Sequence, residues 1–168
     1  MEKITFTDQE RIMLSNQYEI LSIIDKKNEN TYIKLRDIVR CGYEGLYYKI
    51  SELIETPIPD GICKETEEIL DMFHAIDIAK KKLTAEESES KNFDRISFVG
   101  FDSNPHSGYA EFLVKRERQF LEQECANFAS GSSNTIGQYR KLLDYCKSKK
   151  NGPMYLLDYS DLLEMLSL

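Results

Sequence analysis

An all-α fold is what this sequence predicts, and three observations predict it. Apolar residues recur at steps of three and four through most of the chain. Capping signals stand just before several of those stretches. The one short alternating segment, around residues 95–102, has no partner with which to build a sheet, and an isolated strand is not stable alone. The expected architecture is a compact multihelical single domain over residues 1–168, with six to seven helices and one extended connector around residues 95–102.

The first helix has a defined start. Thr7 precedes Glu10 by three residues, the spacing of a capping box, and Met13, Leu14, Tyr18, Leu21 and Ile24 then follow as an apolar stripe. The helix is expected to end near Asp25, before the polar Lys26-Lys27-Asn28. A second helix is predicted over residues 29–40, with Tyr32, Leu35, Ile38 and Val39 inward and Gly42 placed to take the left-handed terminating conformation. A short helix from Leu46 to Leu53, carrying Leu46, Ile50, Leu53 and Ile54, must stop before Pro57 and Pro59.

The strongest pattern runs from Gly61 to Lys82, with Asp60 as the expected cap. Ile62, Ile69, Met72, Phe73, Ile76, Ala79 and Leu83 share a broad face. Glu65, Glu67 and Glu68 lie near its start and Lys80, Lys81 and Lys82 at its end, an order that complements the helix dipole. Thr84 to Asn92 is polar and reads as a loop or a frayed helix end. In the connector Ile96, Phe98 and Gly100 alternate with Ser97 and Val99. Asn104-Pro105 opens the next helix, since asparagine caps well and proline fits the first turn, and Tyr109, Phe112, Leu113 and Phe120 form its face. Residues 130–133 read as a loop. Another helix is predicted over residues 135–149, with Ile136, Tyr139, Leu142, Leu143 and Cys146 inward, stopped by Asn151-Gly152-Pro153. Ser160 is the expected cap of a last helix bearing Leu162, Leu163 and Leu166.

Composition narrows the function classes. The formal net charge of −7 opposes broad binding to nucleic acid, because phosphate repels an acidic surface, so nucleic acid is an unexpected partner even through Lys147, Lys149 and Lys150. No apolar run approaches the roughly 18 residues that span a bilayer, and the first residues do not read as a signal peptide, so a cytoplasmic location without membrane attachment is expected. Cys41, Cys63, Cys125 and Cys146 form no Cys-x-x-Cys pair, and reduced thiols packed as small apolar groups are the expectation. Neither a metal nor a cofactor is implied.

The residues that bear chemistry are few. Asp102, Asn104 and His106 gather a carboxylate, an amide and an imidazole at a helix start, where free N–H groups and the dipole favour anions. Asp102 and His106 are the candidate acid–base pair, and Asn104 a candidate ligand contact; capping by Asp102 or Asn104 explains the same residues without a ligand. His74, the other histidine and a third catalytic candidate, lies mid-helix with Asp71 and Asp77 three residues away, and the simpler expectation is a half-buried ring satisfied by a carboxylate or carbonyl. Ser15 and Asn16 are candidate cleft or partner contacts on the first helix. Tyr43, Tyr47 and Tyr48 cluster beside two glycines, at a core edge or a contact surface. No phosphate-binding loop, nucleophile elbow, zinc-protease motif or dinucleotide fingerprint occurs.

Four segments together resemble the YfbU family of bacterial proteins: Leu14-Ser15-Asn16-Gln17-Tyr18, Met72-Phe73-His74-Ala75, Phe98-Val99-Gly100-Phe101-Asp102 and Leu157-Asp158-Tyr159-Ser160. The resemblance runs from about Thr7 to Leu168 and departs in residues 84–92 and 126–133. It implies a helical protein and supplies no catalytic residue to carry over. The functional expectation is therefore a helical interaction or regulatory protein rather than an enzyme, forming a homodimer or higher homo-oligomer or binding another protein. The alternative is a small-ligand-binding protein or hydrolase-type enzyme built on Asp102 and His106.

Overall fold

The local signals at the start of the chain act as their chemistry requires. In the computed structural model, which describes residues 4–52, 54–102, 104–125, 127–129, 134–149 and 155–168, the Thr7 hydroxyl accepts from the Glu10 N–H and the Glu10 carboxylate accepts from the Thr7 N–H at 2.7 Å. This box opens α1, Asp8–Ile24. Helix α2, Glu29–Cys41, stops at Gly42, whose φ of 72° is the left-handed conformation expected there. A turn of 3-10 helix, Glu44–Leu46, then leads into α3, Tyr48–Ser51.

The chain divides into two compact units, Met1–Pro57 and Ile58–Leu168. In the first, α1 lies on α2. Tyr18, Leu35, Ile38, Val39, Tyr47 and Ile50 form the core, with the Phe6 ring 4.7 Å from Tyr47. Arg11 ties the pair by donating from Nε to the Val39 carbonyl at 2.9 Å and from Nη2 to the Arg40 carbonyl at 3.0 Å, so a cation satisfies the last carbonyls of α2. The stripe expected on α1 is corrected here. Leu14 and Tyr18 face α2, but Met13, Leu21 and Ile24 are exposed. The inward positions are Arg11, Leu14, Tyr18 and Ser22, and a second apolar set points away from α2. Ile54 is likewise exposed, and Leu53 lies outside the described residues. Of the tyrosine cluster, Tyr47 is core while Tyr43 and Tyr48 are exposed.

The second unit is organised around α4, Asp60–Lys81. Ile69, Met72, Phe73, Ile76 and Ala79 are buried as the spacing predicts, and Leu70, Ala75 and Thr66 join them, which makes α4 the central helix. Asp60 is the first helical residue, paired with Lys64 at 2.6 Å, rather than the cap. The polar stretch after it is not a loop: α5, Ala85–Ser90, is opened by a Thr84–Glu87 capping box. A 3-10 turn, Phe93–Ile96, precedes the connector, which is extended and pins Phe101 in the core through its N–H to the Phe128 carbonyl at 2.7 Å. No named strand occurs among the described residues, only an isolated Phe101–Ala129 bridge.

Helix α6 is shorter than the spacing suggests, His106–Lys115 rather than reaching Phe120. Arg118 and Phe120 both have positive φ and cannot continue it. Its buried side chains are His106, Ser107, Ala110, Leu113 and Val114, so the expected inward Phe112 stands at the edge, 47% exposed. A third 3-10 turn, Leu121–Gln123, follows. Helix α7, Thr135–Lys149, buries Tyr139, Leu142, Leu143 and Cys146 as predicted, with Ile136 half-buried. The expected loop at 130–133 and stop at 151–153 lie outside the described residues. Helix α8, Tyr159–Met165, is capped by Asp158, whose carboxylate accepts from the Asp161 N–H at 3.0 Å; the expected cap, Ser160, instead donates its hydroxyl to Asp158. Eight α-helices thus stand among the described residues, α5 being the one beyond the expected seven.

Candidate functional site

Pro105 holds the cap position of α6, and Asn104, the expected cap, stands one residue before it. Its Oδ1 accepts from the Ser107 hydroxyl at 2.8 Å and from the Gly108 N–H at 3.2 Å, closing the start of α6. His106 is the first residue of that helix, and its ring stacks on Phe101 with centroids 5.5 Å apart. Nε2 meets Glu65 Oε2 at 2.9 Å. Glu65 projects from α4, and Arg140 of α7 grips the same carboxylate with Nε at 2.7 Å and Nη2 at 2.9 Å. Three helices are therefore joined by one carboxylate. The Arg140 hydrogen bonds, aided by His106, hold the Glu65 carboxyl down at about 2 against the desolvation that opposes them.

The sequence suggests Asp102 and His106 as a pair, and the structure sets His106 against Glu65. Asp102 is half-buried, and among the described residues no hydrogen bond or ion pair joins it to His106. The Glu65 hydrogen bonds raise the Arg140 pKa, and the charge of Asp102 adds to that. His74 meets a carboxylate, that of Glu122, through its buried Nδ1. Glu65 and Arg140 were missed as site residues. They stand 41 and 34 positions from His106, and no short motif links such distances.

Nearby tyrosines serve structure. The Tyr139 hydroxyl donates to the Gly100 carbonyl at 2.9 Å and accepts from the Val99 N–H at 3.1 Å, and burial pushes its pKa up to about 12. Tyr109 donates to Glu67 at 2.6 Å, which raises its pKa to about 12. A cavity of about 140 Å³ is lined by Phe73, Ser97, Tyr139, Leu142 and Met165 among others, with Arg95 and Lys141 also on its wall. Among the described residues no three histidine, cysteine or carboxylate side chains converge as a metal site, and no helix is long and apolar enough to cross a membrane.

Ser15 and Asn16 come together in the first unit. They line an open groove of about 700 Å³ beside α1 with Asp8, Arg11, Ile12, Glu19 and Arg40. Along this side of α1, Ile12, Met13, Ile20, Ile23 and Ile24 are each more than half exposed. The YfbU domain model matches residues 4–167 of this 168-residue chain. The chain belongs to the YfbU family.

Within this YfbU domain the two regions differ in what they offer. The Glu65–His106–Arg140 cluster has both carboxylate oxygens engaged by the protein itself, the arrangement of a structural clamp. The α1 face of the YfbU domain offers apolar side chains that nothing in their own unit covers.

Proposed function

We propose that this YfbU-family chain is a helical interaction protein that acts without catalysis and associates with itself through α1. One observation carries the reading: five large aliphatic side chains of a single helix, Ile12, Met13, Ile20, Ile23 and Ile24, stand in water on one side. Scattered exposed apolar residues are ordinary, but a contiguous patch of more than about a few hundred Å² marks an interaction surface. Its exposure lowers the solubility of the free chain, and covering it removes that cost. A cytosolic setting fits the four free thiols. A reaction at Asp102 and His106 has less support, because the His106 Nε2 is engaged by Glu65.

Light scattering on size-separated protein tests the reading. The chain is expected to form dimers at high micromolar concentration, and Ile20→Asp to shift it to monomer with an unchanged helical circular dichroism spectrum, since Ile20 is exposed. A chain that stays monomeric at every concentration overturns the proposal.

A further inference from the structure

We infer that the cavity bounded by α7, α8 and the Phe93–Ile96 turn binds a small carboxylate that carries a single ring, the ring inside and the carboxylate at the Arg95 and Lys141 rim. This goes beyond self-association and is independent of it, because every residue that lines the cavity belongs to the second unit. Phe73 from α4, Ile96 from the turn, Tyr139 and Leu142 from α7 and Met165 from α8 make the apolar walls, and all five are buried. The space measures about 140 Å³. A cavity of roughly 150 Å³ lined by leucine, isoleucine and phenylalanine holds one benzene, so this one admits a single ring and little more.

The walls suit an aromatic ring. The Tyr139 hydroxyl is engaged twice, donating to the Gly100 carbonyl at 2.9 Å and accepting from the Val99 N–H at 3.1 Å, so this residue offers the cavity its ring. That ring meets Phe73 edge-on, with centroids 4.7 Å apart. A bound aromatic ring joins the pair through edge-to-face or offset contacts, which an aliphatic chain cannot make.

The rim suits an anion. Arg95 and Lys141 are exposed there, and among the described residues neither side chain makes a hydrogen bond or ion pair. Ser97 also lines the cavity, and its Oγ accepts from Lys80 Nζ at 2.7 Å, so the serine keeps its own O–H to donate to a ligand. The charges of Asp77 and Asp94 act on Lys80, which leaves Arg95 and Lys141 as the cations to be answered. Gln138, three residues before Lys141 on α7, adds a side-chain amide. No carboxylate side chain lines the cavity among the described residues, in a chain with 29 acidic and 22 basic residues. Two cations and a hydroxyl donor above an apolar floor fit a carboxylate, whose oxygens accept, on a body that fills the floor. A neutral ring leaves the cations unanswered, and inorganic phosphate leaves the floor empty.

Two-dimensional NMR of the full chain, titrated with benzoate, tests the site. Benzoate is expected to bind saturably in the millimolar range or tighter, as a ligand of its size allows, and to shift the amide signals of Ser97, Tyr139 and Leu142. Benzyl alcohol, the same ring without the charge, is expected to bind about tenfold more weakly, and inorganic phosphate not to saturate these signals. A chain with both Arg95→Gln and Lys141→Gln is expected to bind benzoate about tenfold more weakly, at the benzyl alcohol level, with an unchanged helical circular dichroism spectrum, since both residues are exposed. Arg95→Lys with Lys141→Arg is expected to keep the affinity. Equal affinity for benzoate and benzyl alcohol, or phosphate saturating the same signals as tightly as benzoate, overturns the ligand class. Benzoate shifts confined to other residues, no saturable shift at all, or a doubly neutralised chain that binds benzoate as tightly as the wild type overturns the site.

Discussion

Gly100 shows how one residue fixes the connector. Its φ is +93°, and a Cβ there would lie 2.7 Å from the Phe128 carbonyl oxygen and 2.8 Å from that of Asn127, so both the conformation and the close approach require glycine. Gly100→Ala is expected to destabilise the second unit by about 1–3 kcal/mol through backbone strain alone, with the steric clash adding to it, read as a lower urea midpoint. Glu65 acts by charge. Its folded pKa of about 2 lies below the ordinary value of 4.5, so its contribution is fully present above pH 4.5 and is lost as pH falls toward 2. Glu65→Gln is expected to cost about 1 kcal/mol at neutral pH, the modest size reflecting an Arg140 side chain that is about half exposed. The gap between wild type and Glu65→Gln in urea midpoint should close as the buffer is taken from pH 5 to pH 2. A gap that is constant across that range means the carboxylate charge is not what stabilises the cluster.

Helices divide by what they bury. Helix α4 was legible because Ile69, Met72, Phe73, Ile76 and Ala79 sit on its core side, and burial leaves a periodic trace in sequence. Helix α5 buries nothing, so it leaves no stripe, and only its Thr84–Glu87 capping box announces it. Helix α1 misleads in the opposite direction. It carries apolar residues on two sides, and periodicity reports that an apolar face exists without saying which face its neighbour covers. The end of α6 was illegible because Phe120 suits a helical stripe, while its positive φ is imposed by the chain turning into the Leu121–Gln123 segment. The Glu65 clamp was hidden for a different reason: its three members come from three helices, and only packing brings them together. Caps can be tested at this scale. Asp158→Ala is expected to cost about 1 kcal/mol by removing the acceptor for the Asp161 N–H, whereas Ser160→Ala should be nearly neutral. Equal losses from the two would return the capping role to Ser160.

Across the whole chain, the balance of charge decides which partners are compatible. The net charge of −7 sets a repulsive field toward phosphate, but a field of that size leaves room for a local basic patch, so the decision rests on how the lysines are used. Lys147 and Lys149 lie at the end of α7, the strongest basic cluster among the described residues of that helix, with Lys150 outside them. Lys147 pairs with Glu68 of α4 at 2.7 Å. Lys149 reaches Asp161 of α8 at 3.4 Å and lies over the Tyr145 ring, 5.4 Å from its centroid. Binding a phosphate would require breaking these pairs and exposing two carboxylates to the same backbone, so attraction at each lysine is offset by repulsion at its former carboxylate partner. Nucleic-acid affinity comes mainly from releasing counterions as free cations meet phosphates, and lysines already neutralised within the fold release few. The chain is therefore expected to pass unretained through immobilised duplex DNA at about 0.1 M salt, where charges interact over about 10 Å. Glu68→Gln, which frees Lys147, should add at most weak retention that added salt abolishes. Firm retention of the unmodified chain with a steep salt dependence would mean that a basic surface outweighs the acidic whole.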